Sequence, residues 1–272
     1  MNLASDENAD HATVDRAYVE GPLFGATVTA GRTPLFTAQG LVFDDRISGA
    51  TVAFGSDEFT TTLAAGRYSE DSHEQYGGNA KDITAEYYGV QFDYAPSEQL
   101  ALNAGYTALT GIDGDFSSAA KFMESKKEGS SKYLTADAYG DSNKASVWYV
   151  GGSYAFDKNV KFVGEYAQNT EAEKFDDAWT AELQYKGANP ADAGSWGMYA
   201  GYRDIGNYVG IAPTYDDIIG AGYKGFVAGV SYAPAENILA SVQYFDGKDT
   251  VADEYGFNSD ASKFFANVDF FF

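Results

Sequence analysis

Histidine occurs twice in the chain, at His11 and His73, and cysteine not at all, so chemistry that runs on imidazole or thiolate has almost nothing to work with. A hydrolase built on His with Ser or Asp would have to use one of those two residues, and both sit in polar stretches, His73 within Glu70-Asp-Ser-His-Glu. No Gly-x-Ser-x-Gly, no His-Glu-x-x-His and no phosphate loop occurs. The missing thiols also remove disulfide frameworks and Cys-based zinc sites. Gly111-Ile-Asp113-Gly-Asp115-Phe opens like a calcium loop but lacks the remaining acidic ligands and a bidentate Glu at the required spacing, which leaves a turn. Asp216 and Asp217 form another acidic pair, and such crowded carboxylates can collect divalent cations weakly. No metal centre and no cofactor is expected, and the chain is not read as an enzyme. With 40 acidic residues against 18 basic ones, a net charge of −22, nucleic acid is excluded as a partner, because a phosphate backbone needs a basic footprint.

The elements available to carry a function are strands. Aromatic residues make up 16% of the chain, with 21 Tyr and 19 Phe against 6 Pro, a composition suited to strands and to the girdles where a membrane protein meets headgroups. No stretch approaches the roughly 18 apolar residues of a transmembrane helix. The mean hydropathy of −0.33 still fits a lipid-spanning barrel, because half of each barrel strand faces water. At the C-terminus Phe264, Ala266, Val268, Phe270 and Phe272 fall on one face of a strand and Lys263, Asn267 and Asp269 on the other. Similar alternation recurs about thirteen times in segments near the 9 to 11 residues of a tilted membrane strand. Trp148, Val150, Gly152 and Tyr154 alternate with Tyr149, Gly151 and Ser153, and Trp179, Ala181, Leu183 and Tyr185 with Thr180, Glu182, Gln184 and Lys186. The expected fold is all-β, an antiparallel transmembrane β-barrel occupying residues 1–272 as one domain.

Connections alternate in length. Short polar turns follow Tyr94, Tyr154 and Tyr232, which hold equivalent places in a repeated phrase and read as a periplasmic aromatic girdle. Between the hairpins lie long polar stretches, Tyr68 to Lys81, Ala108 to Asn143, Asn169 to Asp177, Asp204 to Lys224 and Gly247 to Ser262, expected to share the outer side. Ser117 to Lys127 spaces Ala120, Phe122 and Met123 like a short amphipathic helix packing on its own loop. If Phe272 ends a descending strand, the strand from about Thr13 to Gly21 also descends, and an ascending one must precede it. Single-chain bacterial barrels have even strand counts, so three preceding strands would complete sixteen and one would complete fourteen.

Ala26-Thr-Val-Thr-Ala-Gly-Arg32, followed by a loop and by Phe43-Asp-Asp-Arg-Ile-Ser-Gly-Ala50-Thr-Val-Ala-Phe-Gly, resembles the fifth strand, folded-in third loop and sixth strand of trimeric general porins. Among these the chain is most similar to OmpM-type porins of diderm Firmicutes. The resemblance implies a sixteen-strand barrel with three strands preceding Thr13, set as a homotrimer among the lipids of the bacterial outer membrane. It implies passive diffusion of ions and small hydrophilic solutes, without a cofactor. It also implies a constriction of Asp44, Asp45 and Arg46 on the loop with Arg32 at its start, whose opposed charges set a transverse field. Read from the residues alone, Asp44-Asp45-Arg46 is equally a surface turn closed by an ion pair. The rival functions are an outer-membrane barrel enzyme, a structural tethering or adhesion protein of that membrane, and a soluble acidic binding protein.

Overall fold

The computed structural model describes residues 15–70, 83–113, 144–215, 217–254 and 256–271. His11, His73, Asp115, Ser117–Lys127, Asp216 and Phe272 lie outside them. The described strands are β1 (Ala17–Leu23), β2 (Ala26–Phe36), β3 (Asp44–Gly55), β4 (Phe59–Glu70), β5 (Ile83–Tyr94), β6 (Leu100–Asp113) and β7 (Lys144–Ala155). They continue as β8 (Val160–Asn169), β9 (Asp177–Lys186), β10 (Trp196–Ile205), β11 (Tyr223–Ala235), β12 (Ile238–Asp249) and β13 (Asp260–Phe270). One short helix, α1 (Thr250–Glu254), precedes β13. All thirteen strands form one sheet in sequence order. Every neighbouring pair is antiparallel. The sheet is not closed: among the described residues β1 and β13 are its two edges. The first strand starts and ends later than the alternation predicts, at Ala17 and Leu23 rather than about Thr13 and Gly21.

Local chemistry sets the short turns. Ser56 and Ser97 accept hydrogen bonds at their hydroxyls from the amides of Phe59 (3.1 Å) and Leu100 (3.2 Å). Asp157 accepts from Asn159 (2.7 Å) and Val160 (2.9 Å), so in each case a small polar side chain replaces a backbone partner in the bend. The hairpin at Phe24-Gly25 has φ of 52° and 85°, the left-handed pair a two-residue turn needs to match strand twist. The longer connections 71–82, 114–143, 170–176, 206–222 and 250–259 leave the opposite end of the sheet, together with the segment 37–43.

The alternation separates two faces with different surroundings. Phe226, Val230 and Tyr232 on β11, Val242 and Tyr244 on β12, and Phe264, Val268 and Phe270 on β13 are exposed. They are joined across strands by the pairs Val230↔Val242, Tyr244↔Phe264 and Ile238↔Phe270. The fully buried side chains instead belong to the other, concave face. Leu41, Val42 and Phe43 are 0% exposed and pack in one cluster with Ile47, Tyr68, Tyr87, Leu109, Val209, Ile218 and Ile219. The stretch Asp204 to Lys224 leaves the sheet at the same end as the other long connections but folds back instead of standing in solvent. Val209, Ile218 and Ile219 draw the segment 206–222 back against the sheet, because burying those side chains outweighs leaving them in water.

Candidate pore interior

Two segments fold onto the concave face and meet there. The first, 37–43, is closed at its neck by Thr37, whose amide donates to the Phe43 carbonyl (2.8 Å) and whose hydroxyl accepts from the Phe43 amide (2.9 Å). Gly40 sits at φ +77°, and a Cβ there would come within 2.8 Å of the Thr214 methyl, so only glycine fits this approach. The loop is then anchored to distant strands. The Ala38 amide donates to Gln91 on β5 (2.8 Å), and the amides of Gln39 and Leu41 both donate to Oε2 of Glu165 on β8 (3.2 and 3.3 Å). A contact that spans from the β2–β3 connection to β8 requires the sheet to curve round the loop. Phe43 packs between Tyr68 and Tyr87, ring centroids 5.1 and 5.0 Å away.

The second segment, 206–222, pairs with the first by main-chain hydrogen bonds. The amides of Ile211 and Ala212 donate to the Val42 carbonyl (3.0 and 3.1 Å), the Asp44 amide to Ala212 (2.6 Å) and the Thr214 amide to Gly40 (2.8 Å). Tyr215 donates its hydroxyl to the Gln39 carbonyl at 3.1 Å and lays its ring 3.9 Å from the Arg203 guanidinium carbon. Burial, reinforced by the charges of Glu182 and Glu165, pushes this phenol up to about 12, so it remains a donor at neutral pH. Below the ring, Arg203 Nη2 donates to Glu182 Oε2 at 2.9 Å, and Gln184 donates to the other Glu182 oxygen at 2.8 Å.

The residues taken from the third-loop resemblance gather at the foot of the first segment rather than at its tip. Asp44, Asp45 and Arg46 are the first three residues of β3, and Arg32 lies on β2 opposite Ser48. Asp45 has the parity of buried Ile47, on the concave side, whereas Asp44 and Arg46 have the opposite parity. Arg46 donates to Asp45 at 2.8 Å and lies 3.1 Å from an Asp15 carboxylate oxygen, and Arg32 donates to the Asp15 carbonyl at 3.0 Å. Tyr94, Tyr154 and Tyr232 all stand exposed beside the short turns, opposite Phe59, Phe162 and Trp196 on neighbouring strands. Phe270 is exposed at the same end.

This continuous antiparallel sheet has solved counterparts. One mutant of Rh. blastica porin matches over 93% of this chain and 75% of its own, with a TM-score of 0.50 at 14% identity. A second mutant of the same porin matches over 93% and 75%, with a TM-score of 0.50 at 13% identity. The fold is that of a porin. No family model matches the chain, and no curated protein does.

Within the porin fold, the two segments also meet Glu165 and Arg203, the latter paired with Glu182, and the loop motif did not single out any of these three. A signal for them exists in the sequence. Each falls on the polar parity of its strand, and each has a glycine directly across a neighbouring strand: Gly151↔Glu165, Glu182↔Gly201 and Arg203↔Gly225. A glycine beside a long charged side chain leaves that side chain room over the sheet.

Proposed function

We propose that the protein forms a water-filled channel in the bacterial outer membrane for passive diffusion of ions and small hydrophilic solutes, with no catalytic step. The observation that carries this reading is the outward face. Aromatic residues bracket it at both ends: Trp148 and Tyr154 on β7, Tyr202 and Trp196 on β10, Phe226 and Tyr232 on β11, and Phe264 and Phe270 on β13. Each pair is six residues apart in the sequence, or about 20 Å along a strand, an outward apolar run with rings toward both ends of the kind a tilted outer-membrane barrel strand turns to lipid. Water would not tolerate so continuous an exposed apolar surface on a monomer. Planar-bilayer recording tests the reading: stepwise ohmic conductance in potassium chloride is expected, and a detergent-folded protein that never conducts would rule it out.

Homotrimeric assembly belongs to the same proposal. On β2, β3 and β4 the outward face carries Ala30, Ala50 and Ala65 between the exposed Phe36, Phe54 and Phe59 nearer the strand ends, aligned through Ala30↔Ala50 and Ala50↔Ala65, a flat strip suited to close packing by another copy. Membership of the OmpM-type porins rests on the Ala26-to-Gly55 resemblance.

Orientation yields a prediction that exploits the absence of native cysteine. With the short turns periplasmic, Glu173→Cys in the 170–176 connection should react with an impermeant maleimide on intact cells, and Ser97→Cys should not. The reverse pattern would invert the topology.

Asp45, on the concave side and held 2.8 Å from Arg46, is proposed as the pore-facing member of a charged collar at the foot of the inward loop, with Arg32, Asp44 and Arg46 on the outward parity at its rim. Asp44→Asn combined with Asp45→Asn should then lower cation selectivity without closing the pore, while Arg46→Ala should raise it. Added salt should weaken both effects by screening. Reversal potentials under a salt gradient read the outcome, and values unmoved by either change would remove the collar from the selectivity mechanism.

A further inference from the structure

We propose that Glu165, Thr180 and Arg203 form a subsite for the two charged ends of a small zwitterionic amino acid, and that Tyr215 caps it. The proposal deepens the channel reading and rests on it. The three residues stand in one row across β8, β9 and β10, with Glu165 opposite Thr180 and Thr180 opposite Arg203. Neighbouring strands lie about 4.8 Å apart, so acid and base leave the sheet roughly 10 Å from each other. A bound amino acid needs about 2.9 Å for a hydrogen bond at each end plus about 3 Å between its own charged groups, close to that gap.

The two ends of the row have unused hydrogen-bonding capacity of opposite kinds. Arg203 is 3% exposed, and its Nε and Nη1 have no partner among the described residues. Its ion pair with Glu182 uses Nη2 and leaves those donors for a carboxylate. Glu165 is 4% exposed; its Oε2 holds the amides of Gln39 and Leu41, while Oε1 has no partner among the described residues. Glu165 has no ion-pair partner among the described residues either, so an ammonium group would supply the missing positive charge. A buried donor or acceptor without a partner costs free energy that a complementary ligand recovers.

Tyr215 stands over this row. Its ring covers Arg203, and its hydroxyl donates to the Gln39 carbonyl. The cap belongs to the segment 206–222, which is tied to 37–43 by main-chain hydrogen bonds rather than by the sheet ladder. Moving Tyr215 opens the space between acid and base without breaking a strand pairing. A simple carboxylate would satisfy one end of the row and a simple amine the other, whereas an amino acid satisfies both.

Isothermal titration of the full chain folded in detergent micelles provides the test, with glycine as the probe and acetate and methylammonium as its one-ended analogues. Tyr215→Ala should bind glycine about tenfold more tightly than the unmodified chain, and each analogue at least tenfold more weakly than glycine. In the Tyr215→Ala background, Glu165→Gln and Arg203→Lys should each weaken glycine by about tenfold, since each keeps the side chain's length while altering one end of the row. Tyr215→Phe retains the ring and should stay near the unmodified affinity, a check that does not depend on a truncated side chain. Strand content by circular dichroism establishes that each variant is folded. Absence of glycine binding with the cap removed overturns the subsite. So does acetate binding as tightly as glycine with Glu165→Gln having no effect, which would describe a carboxylate site only. Bilayer conductance is read separately: a chain that conducts but does not bind glycine loses this proposal alone, and one that binds but never conducts loses the channel reading.

Discussion

Truncating Phe43 to alanine should destabilise the folded protein by about 3 to 5 kcal/mol, the range for removing a fully buried aromatic side chain, and should raise single-channel conductance. Phe43 is 0% exposed, and its ring meets Tyr68 at 5.1 Å and Tyr87 at 5.0 Å. Those two tyrosines belong to β4 and β5, whose backbones are fixed by Tyr68↔Ala85 and Ala65↔Tyr88 pairing in an unbroken ladder. The wall therefore cannot collapse into the space the ring leaves, and a site that cannot relax lies at the costly end of the range. The same space lies on the concave face where solutes would pass, which couples the stability loss to a wider path. Phe43→Leu retains most of the volume and should cost less than half as much. Reversible urea unfolding from lipid vesicles measures the first effect and planar-bilayer recording the second. A loss under about 1 kcal/mol would mean that the loop is not packed against the wall in the membrane.

The strands were legible because each carries its own signal. Period-two alternation along 10 to 13 residues survives for β7 through β13, and the serines and aspartate in the turns bend the chain through bonds to amides only two or three residues away. Parity even assigned Glu182 to the polar face. What one sequence does not encode locally is which segment a loop will meet. Gln39 and Tyr215 bond across 176 positions, and Val42 pairs through its backbone, whose donors and acceptors are the same in every residue. The apolar residues Val209, Ile211, Ile218 and Ile219 follow neither period two nor 3.6, so the stretch Asp204 to Lys224, without a strand or helix period, reads as a solvated loop. Glu165 was hidden for a related reason: its role comes from the loop amides that arrive over it, not from its neighbours on β8. The charged collar shows the converse, since Asp44, Asp45 and Arg46 are adjacent in the chain and their grouping needs no fold at all.

Placing an arginine on the outward face of the last strand should separate a lipid-spanning barrel from a soluble sheet. Val268 is 54% exposed, lies opposite Ala240 on β12, and stands one residue from the midpoint between Phe264 and Phe270. If that face meets lipid, Val268→Arg brings a guanidinium close to the bilayer centre, where the cost is about 2 to 4 kcal/mol. In water the same substitution at an exposed position would change stability by only about 0.5 kcal/mol. The neighbouring residue supplies the control. Asn267 has the opposite parity, lies across from Ser241 and donates to an Asp269 carboxylate at 2.8 Å, so an arginine there enters a polar and acidic surrounding. Asn267→Arg should therefore be tolerated within about 0.5 kcal/mol, and the negative charge of Asp269 should help hold the new cation. Both values come from urea titration of vesicle-embedded protein, where the unfolded chain returns to water and the transfer cost is recorded directly. Equal losses at the two positions would show that alternation on β13 does not divide lipid from water. A large loss at Asn267 with none at Val268 would mean that the two faces had been exchanged.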